Sequence, residues 1–178
     1  ITGAHLNYIY NNTFDSNSND NVIITGTSYN NTIDSNSIIN GASRGVYISS
    51  DSNNITNNYI NQNKSHGIYS LNGDTNRIIG NTIKNSWSAA YGLWLSAAKN
   101  NYIYSNNLDS NVDYQIYISG VCLNNIIDSN IVINGLSCGI YSTSDSNIFR
   151  NNYLDQNSST GMYFSFGDSN IITGNTVK

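Results

Sequence analysis

Apolar residues in this chain stand at isolated positions between polar ones, and their spacing repeats. The stretch Asn101-Tyr102-Ile103-Tyr104-Ser105-Asn106-Asn107-Leu108 reduces to Asn-x-apolar-x-x-Asn-x-apolar, a pattern that occurs eight times. Its first Asn is Asn7, Asn31, Asn53, Asn76, Asn101, Asn125, Asn147 and Asn170. Its second is Asn12, Asn36, Asn58, Asn81, Asn106, Asn130, Asn152 and Asn175, at steps of 24, 22, 23, 25, 24, 22 and 23 residues. The apolar position between them is Ile in every copy but one, where it is Phe149. The position after the second Asn is Phe14, Ile38, Ile60, Ile83, Leu108, Val132, Leu154 or Val177.

A third element follows each pair, as in Gly45-Val46-Tyr47-Ile48, Gly67-Ile68-Tyr69-Ser70 and Gly92-Leu93-Trp94-Leu95. Alternation at period two is the signature of a strand, and runs such as Asp-Ser-Asn turn a chain back on itself. Three short strands and three turns in about 23 residues make one coil of a parallel β-helix. The fold expected is therefore an all-β, right-handed parallel solenoid of seven coils and the start of an eighth. Coils stacked about 4.8 Å apart set like residues over like. Asn over Asn then exchanges amide hydrogen bonds up the stack, and Asn tolerates the left-handed backbone of a sharp corner. A leucine-rich repeat shares an apolar-x-x-Asn-x-apolar run but needs Leu and a helical return, and the return segments here are Asn, Ser, Gly and Asp.

A longer period lies over the shorter one. Asn7-Tyr8-Ile9-Tyr10 returns 94 residues later as Asn101-Tyr102-Ile103-Tyr104, and Gly80-Asn81-Thr82 as Gly174-Asn175-Thr176. This reads as a duplicated block of four coils, residues 1–94 and 95–178, within one domain whose array is expected to continue. Open ends would expose strand edges, so neighbouring copies or flanking repeats are the expected partners there.

Composition narrows the function classes. Charged residues are 10% of the chain, the formal net charge is -4 and there is no proline. No basic run offers nucleic acid an electrostatic footprint, and no apolar run approaches the roughly 20 residues of a membrane helix. Cys122 and Cys138, the only cysteines, fall at different places around the coil and read as small buried thiols. Sequons at Asn11, Asn30, Asn54, Asn63 and Asn157 are no more than this composition supplies.

Candidate chemistry lies outside the repeat's apolar columns. If Val46 and Ile48 point inward, Tyr47 points outward, and Tyr47, Tyr69, Trp94, Tyr117, Tyr141 and Tyr163 form an outer aromatic stripe. Such a stripe suits sugar contact or subunit packing; the plainer alternative is a stack that stabilises the solenoid. The fourth coil takes eleven residues from Asn81 to Gly92 where others take nine. Its added length is expected to bring Trp87 and Tyr91 beside Trp94 as a binding loop. Asp51 and Asp74 occupy equivalent turns on successive coils. Calcium is conceivable between them, against the simpler role of closing Asx-type turns. His66 reads as a solvent-facing loop residue, and no imidazole or sulfur cluster suits copper.

The recurring Gly-apolar-Tyr-x-x-x-(Asp)-Ser-Asn-x-apolar-x-x-Asn-x-apolar resembles the right-handed β-helix repeats of carbohydrate-binding proteins and sugar hydrolases. That broad group is similar to pectin-lyase-like proteins and includes periplasmic copper-accessory proteins and, closest in character to this chain, adhesin-like surface proteins. The resemblance implies the fold across the whole chain and little about chemistry, because the motif residues are scaffold. It favours an extracellular or cell-surface structural protein, not an enzyme, that contacts glycans along the stripe. The alternative it implies is a polysaccharide lyase or glycoside hydrolase. Compact Asp-Asp and Gly-His-Gly signatures are absent, and no catalytic residue or resident cofactor is assigned.

Overall fold

A computed structural model describes all 178 residues. The chain winds as a right-handed parallel β-helix with three sheets of eight, eight and seven strands. Sheet one begins at Tyr8–Tyr10, sheet two at Thr13–Asp15 and sheet three at Val22–Ile24. Every pairing is parallel and in repeat register: Ile33 pairs with Ile55, Ile55 with Ile78 and Ile78 with Ile103. The sheets run without interruption from the fourth coil to the fifth.

Apart from the two-residue final strand, strands of sheets one and two are three residues long, and between the end coils they bury the middle one, joined in Ile126–Asp128 by Asp128. Sheet three buries two residues in every strand but the last, as with Val46 and Ile48 around an outward Tyr47. Twenty-four buried side chains form one continuous core. Each buried Ile or Leu removes enough apolar surface from water to contribute about 1.5–3 kcal/mol. The core opens at the last coil, where Ile172 is 48% exposed and Val177 50%, although their counterparts one coil below are fully buried.

Both Asn columns form ladders inside the corners. Oδ1 of Asn58 accepts the backbone N–H of Asn36 at 2.9 Å and its side-chain amide at 3.0 Å. The Asn58 amide in turn donates to Asn81 Oδ1 at 3.0 Å and to the Ile33 carbonyl at 2.9 Å. The first column repeats this from Asn31 to Asn53 and from Asn101 through Asn125 to Asn147. Buried amides are thereby paired at both ends, which buried polar groups require. The reason for Asn at the corner differs from the one expected. The left-handed residue is the one before each ladder Asn: Asn30, Ser35, Ser52, Asn57, Thr75, Gly80 and so on. Ladder Asn residues are needed for their amides, not for their backbone freedom.

A third, sparser ladder occupies the corner between sheets two and three. Its column is Asn17, Gly41, Asn63, Ser86, Asn111, Gly135 and Asn157, so only alternate coils carry the amide. Asn63 Oδ1 accepts the Gly41 N–H at 3.0 Å, and Asn157 Oδ1 accepts that of Gly135 at 3.1 Å. Above Gly41 the amide of Asn21 reaches two coils to Asn63 Oδ1 at 2.8 Å. A Cβ on Gly41 would lie 2.7 Å from Asn21 Nδ2 and 2.9 Å from Asn63 Oδ1, which is why the intervening residue is small.

Candidate functional site

The outer face of sheet three carries the predicted stripe. Tyr47, Tyr69, Trp94, Tyr117, Tyr141 and Tyr163 stand in register on successive strands. Ring centroids along the file lie 5.6, 4.3, 5.7, 5.3 and 5.1 Å apart. The planes stay within 30° of parallel. Each ring therefore covers the faces of its neighbours and turns its edge outward. Along this file a sugar meets ring edges and phenol hydroxyls in place of open aromatic faces. Trp94 donates its indole N–H to Ser119 Oγ at 2.8 Å. Tyr47, Tyr117 and Tyr141 are half-buried and Tyr163 is 52% exposed, and none of their hydroxyls is a buried atom without a partner.

A second file runs beside the first, formed by residues just before four successive strands of sheet three: Arg44, His66, Tyr91 and Tyr114. His66 stacks on Tyr91 with centroids 4.9 Å apart, and Tyr91 on Tyr114 at 5.3 Å. Edge contacts tie the files together, His66 to Trp94 at 5.1 Å and Tyr91 to Trp94 at 5.3 Å. The Arg44 guanidinium lies 3.8 Å over the Tyr47 ring. It also makes an ion pair of 2.6 Å with Asp20. Burial would raise the Asp20 carboxyl, but hydrogen bonds from Arg44 and Ser43 and the guanidinium charge hold it below its usual value.

His66 is therefore not the solvent-facing loop residue expected. Its Nδ1 accepts the Tyr91 N–H at 3.0 Å. Burial, and then the Arg44 charge, push its pKa down to about 4. The ring is neutral at pH 7, and with Nδ1 occupied its proton sits on Nε2. Burial, then Asp113 and the neighbouring phenols, push the Tyr91 hydroxyl up to about 12. Both groups at this junction are placed to donate hydrogen bonds.

Tyr91 belongs to this second file rather than to the fourth-coil loop, and Trp87 does not meet Trp94. The two added residues bulge at the corner between sheets two and three, with Ala89 in a left-handed conformation. Pairing resumes when Ala90 accepts the Asp113 N–H at 3.1 Å. Trp87 is 56% exposed. It lines a separate open groove of about 810 Å³ with Asn40, Gly41, Ala42, Gln62, Lys64 and Asn85.

The acids tie successive coils together in place of closing Asx-type turns within one. Asp51 Oδ1 accepts the Asp74 N–H at 2.8 Å, and Asp74 Oδ1 accepts the Lys99 N–H at 2.7 Å. Asp145 and Asp168 repeat the arrangement at 2.8 Å. Backbone amides thus satisfy the carboxylates that sequence spacing set one above another. No group of three or more His, Cys, Asp or Glu side chains converges as a metal site would require. Cys122 and Cys138 are both free and buried. Burial is the main cause of the Cys138 thiol's rise to about 11.

The sequence profile described as "right handed beta helix region" matches residues 1–83 and 45–177. This chain belongs to the right-handed beta-helix family. Among solved structures it superposes on the periplasmic alginate epimerase AlgG with a TM-score of 0.88 at 18% identity, over 99% of this chain and 49% of that one. For the AlgE6 A-module, a mannuronan C-5 epimerase of Azotobacter vinelandii, the TM-score is 0.67 at 12% identity, over 95% and 58% of the two chains. For pectate lyase Pel9A it is 0.64 at 16% identity, over 92% and 55%. Among curated proteins no sequence matches. At these identities the beta-helix architecture alone is shared, and the chain spans about half the length of the enzymes it resembles. These neighbours act on carbohydrate; they do not support the expected kinship with adhesins.

Sequence reasoning missed Arg44, His66 and Tyr114 as members of a file. The signal was present, since all three precede the Gly or Gln that opens a strand of sheet three. Reading that position as a loop hid the column.

Proposed function

We propose that this beta-helix is an extracellular polysaccharide-binding element that holds a linear glycan against the outer face of sheet three. The observation that carries the reading is the row of outward phenol hydroxyls repeated at the coil spacing, flanked by Arg44, His66 and Tyr91. Stacked strands set that spacing at about 4.8 Å, and linear polysaccharides repeat their own hydroxyls over a comparable length. Recognition here is edge-on, by hydrogen bonds from groups held rigid by stacking, so little side-chain entropy is lost on binding. The fold shared with alginate epimerases and pectate lyase supports a glycan as the ligand class.

Affinity electrophoresis against a polysaccharide panel tests the reading. Replacing both Tyr117 and Tyr141 by Phe keeps the rings and removes two hydroxyls. Retardation that is unchanged in this variant rejects the proposed face.

A second reading, a carbohydrate-active enzyme, is favoured by the same structural neighbours. The residues on sheet three point instead to binding. His66 has its free lone pair committed to the Tyr91 amide, and Arg44 is neutralised by Asp20. A general base needs a free acceptor within reach of the proton it takes. Incubation with acidic polysaccharides, followed for unsaturated products, new reducing ends or altered sugar stereochemistry, separates the two readings. Turnover by the purified chain would establish the enzyme.

A further inference from the structure

Trp87 and Lys64 occupy the same column of the corner between sheets two and three, one coil apart. The Lys64 ammonium lies 5.9 Å from the centre of the Trp87 ring. Across from them stand Asn40, Gln62 and Asn85, one on each of three successive coils, each in a left-handed conformation that turns it out of the barrel. Asn40 spends its amide N–H on Asp15 Oδ1 at 2.9 Å, and Asn85 on Asn61 Oδ1 at 2.8 Å. Both therefore present carbonyl oxygens as acceptors. Gln62 offers an acceptor and two donors, and Lys64, which is in no salt bridge, offers three donors.

The duplicated block supplies an internal comparison. One block later the amides return as Asn134 and Gln156, but Leu136 stands where Ala42 is and Ser158 where Lys64 is. In the first block the groove is lined by the small Ala42, by Lys64 and by Trp87, which the two-residue bulge carries outward.

We propose that this groove is a second saccharide site, distinct from the face of sheet three, in which one pyranose ring lies on Trp87. Unlike the stacked file, Trp87 is in no aromatic pair, so a face of its indole is free for the C–H side of a sugar. The amide oxygens accept from ring hydroxyls, and Lys64 donates to hydroxyls or to a carboxylate. A few convergent polar groups beside one flat apolar surface are what orient a small ligand in such a site.

Calorimetric titration of the intact chain with matched oligosaccharides, one neutral and one uronic, tests the proposal. Binding is expected to weaken about tenfold or more in Trp87→Ala, the loss usual for an aromatic anchor. Ala42→Leu fills the groove with the residue the second block already carries at that corner, so it keeps the fold and is expected to lose binding equally. Lys64→Ala is expected to weaken the uronic ligand more than the neutral one, because only the uronate offers the ammonium a carboxylate. Full affinity in both Trp87→Ala and Ala42→Leu overturns the proposal. So does binding that only the Tyr117 and Tyr141 substitutions reduce, which would leave sheet three as the sole glycan contact. Absence of titratable heat with every oligosaccharide also overturns it, whereas the sheet-three reading would still stand on polymer retardation.

Discussion

Asn81 gives both its backbone N–H, at 2.9 Å, and its side-chain amide, at 3.0 Å, to Oδ1 of Asn106 on the next coil. One oxygen thus closes two buried donors, and the Asn106 amide passes the chain on to Ile78 O and Asn130 Oδ1. The solenoid's corners depend on every rung having an amide at this place.

Asn106→Ala should accordingly destabilise the chain well beyond the loss of one hydrogen bond. It strands the buried Asn81 N–H, at about 1–3 kcal/mol, and takes one donor each from the Ile78 carbonyl and Asn130 Oδ1. The denaturant midpoint in urea is the measurement. Asn175→Ala, on the open last coil where water can replace the lost oxygen, is expected to cost less. Equal shifts for the two would show that burial is not what makes the ladder matter.

Gly41→Ala tests the sparse third ladder. Gly41 has no left-handed backbone to relax, so its cost is steric. The new methyl enters between the Asn21 amide and Asn63 Oδ1, which are bonded to each other at 2.8 Å. Overpacking of this kind costs about 1–3 kcal/mol. A thermal melt unchanged from the parent would mean that the two amides are free to part.

His66 gives the fold a pH dependence of definite sign. Its pKa falls from 6.5 to about 4 on folding, so the unfolded chain binds the proton more tightly. The contribution is therefore complete above about 6.5 and is lost progressively as pH falls towards 4. The full loss is on the order of 3 kcal/mol. Asp20, held below its usual 3.8, adds a further loss at more acid pH as it protonates and leaves Arg44. His66→Gln should flatten the stability profile between pH 6.5 and 4 while leaving the more acid limb in place. An unchanged slope in that window would contradict the half-buried, neutral imidazole.

The repeat register was legible in the sequence because each coil spends one Ile between two Asn, and stacking makes any departure costly. Ile33, Ile55 and Ile78 could be placed over one another from spacing alone, as could Tyr47, Tyr69 and Trp94. Two kinds of information were not legible. The ladder through Asn17, Asn63, Asn111 and Asn157 skips alternate coils, so a search at one-coil period passes over it. The fourth-coil bulge fixed only that chain was added, not which way it leaves the barrel. Trp87 therefore looked adjacent to Trp94, although the corner sends them to different surfaces. His66 was read against a motif when its column held the better information, that Tyr91 lies directly over it.

The two tryptophans should respond oppositely to truncation. Trp94 is in contact with Tyr69, Tyr117, His66 and Tyr91, at centroid distances from 4.3 to 5.7 Å. Aromatic pairs contribute about 0.5–1.5 kcal/mol each beyond burial, and contacts sharing one ring are not additive. Trp94→Ala should cost about 2–4 kcal/mol, because it interrupts the file at its middle and leaves a gap between Tyr69 and Tyr117. Trp87→Ala, at an exposed corner where the ring is in no aromatic pair, should stay within about 0.5 kcal/mol of the parent. Urea unfolding of the two variants side by side decides the point. A Trp87 variant as unstable as the Trp94 variant would make the groove part of the scaffold, and the indole would no longer be free to receive a ligand.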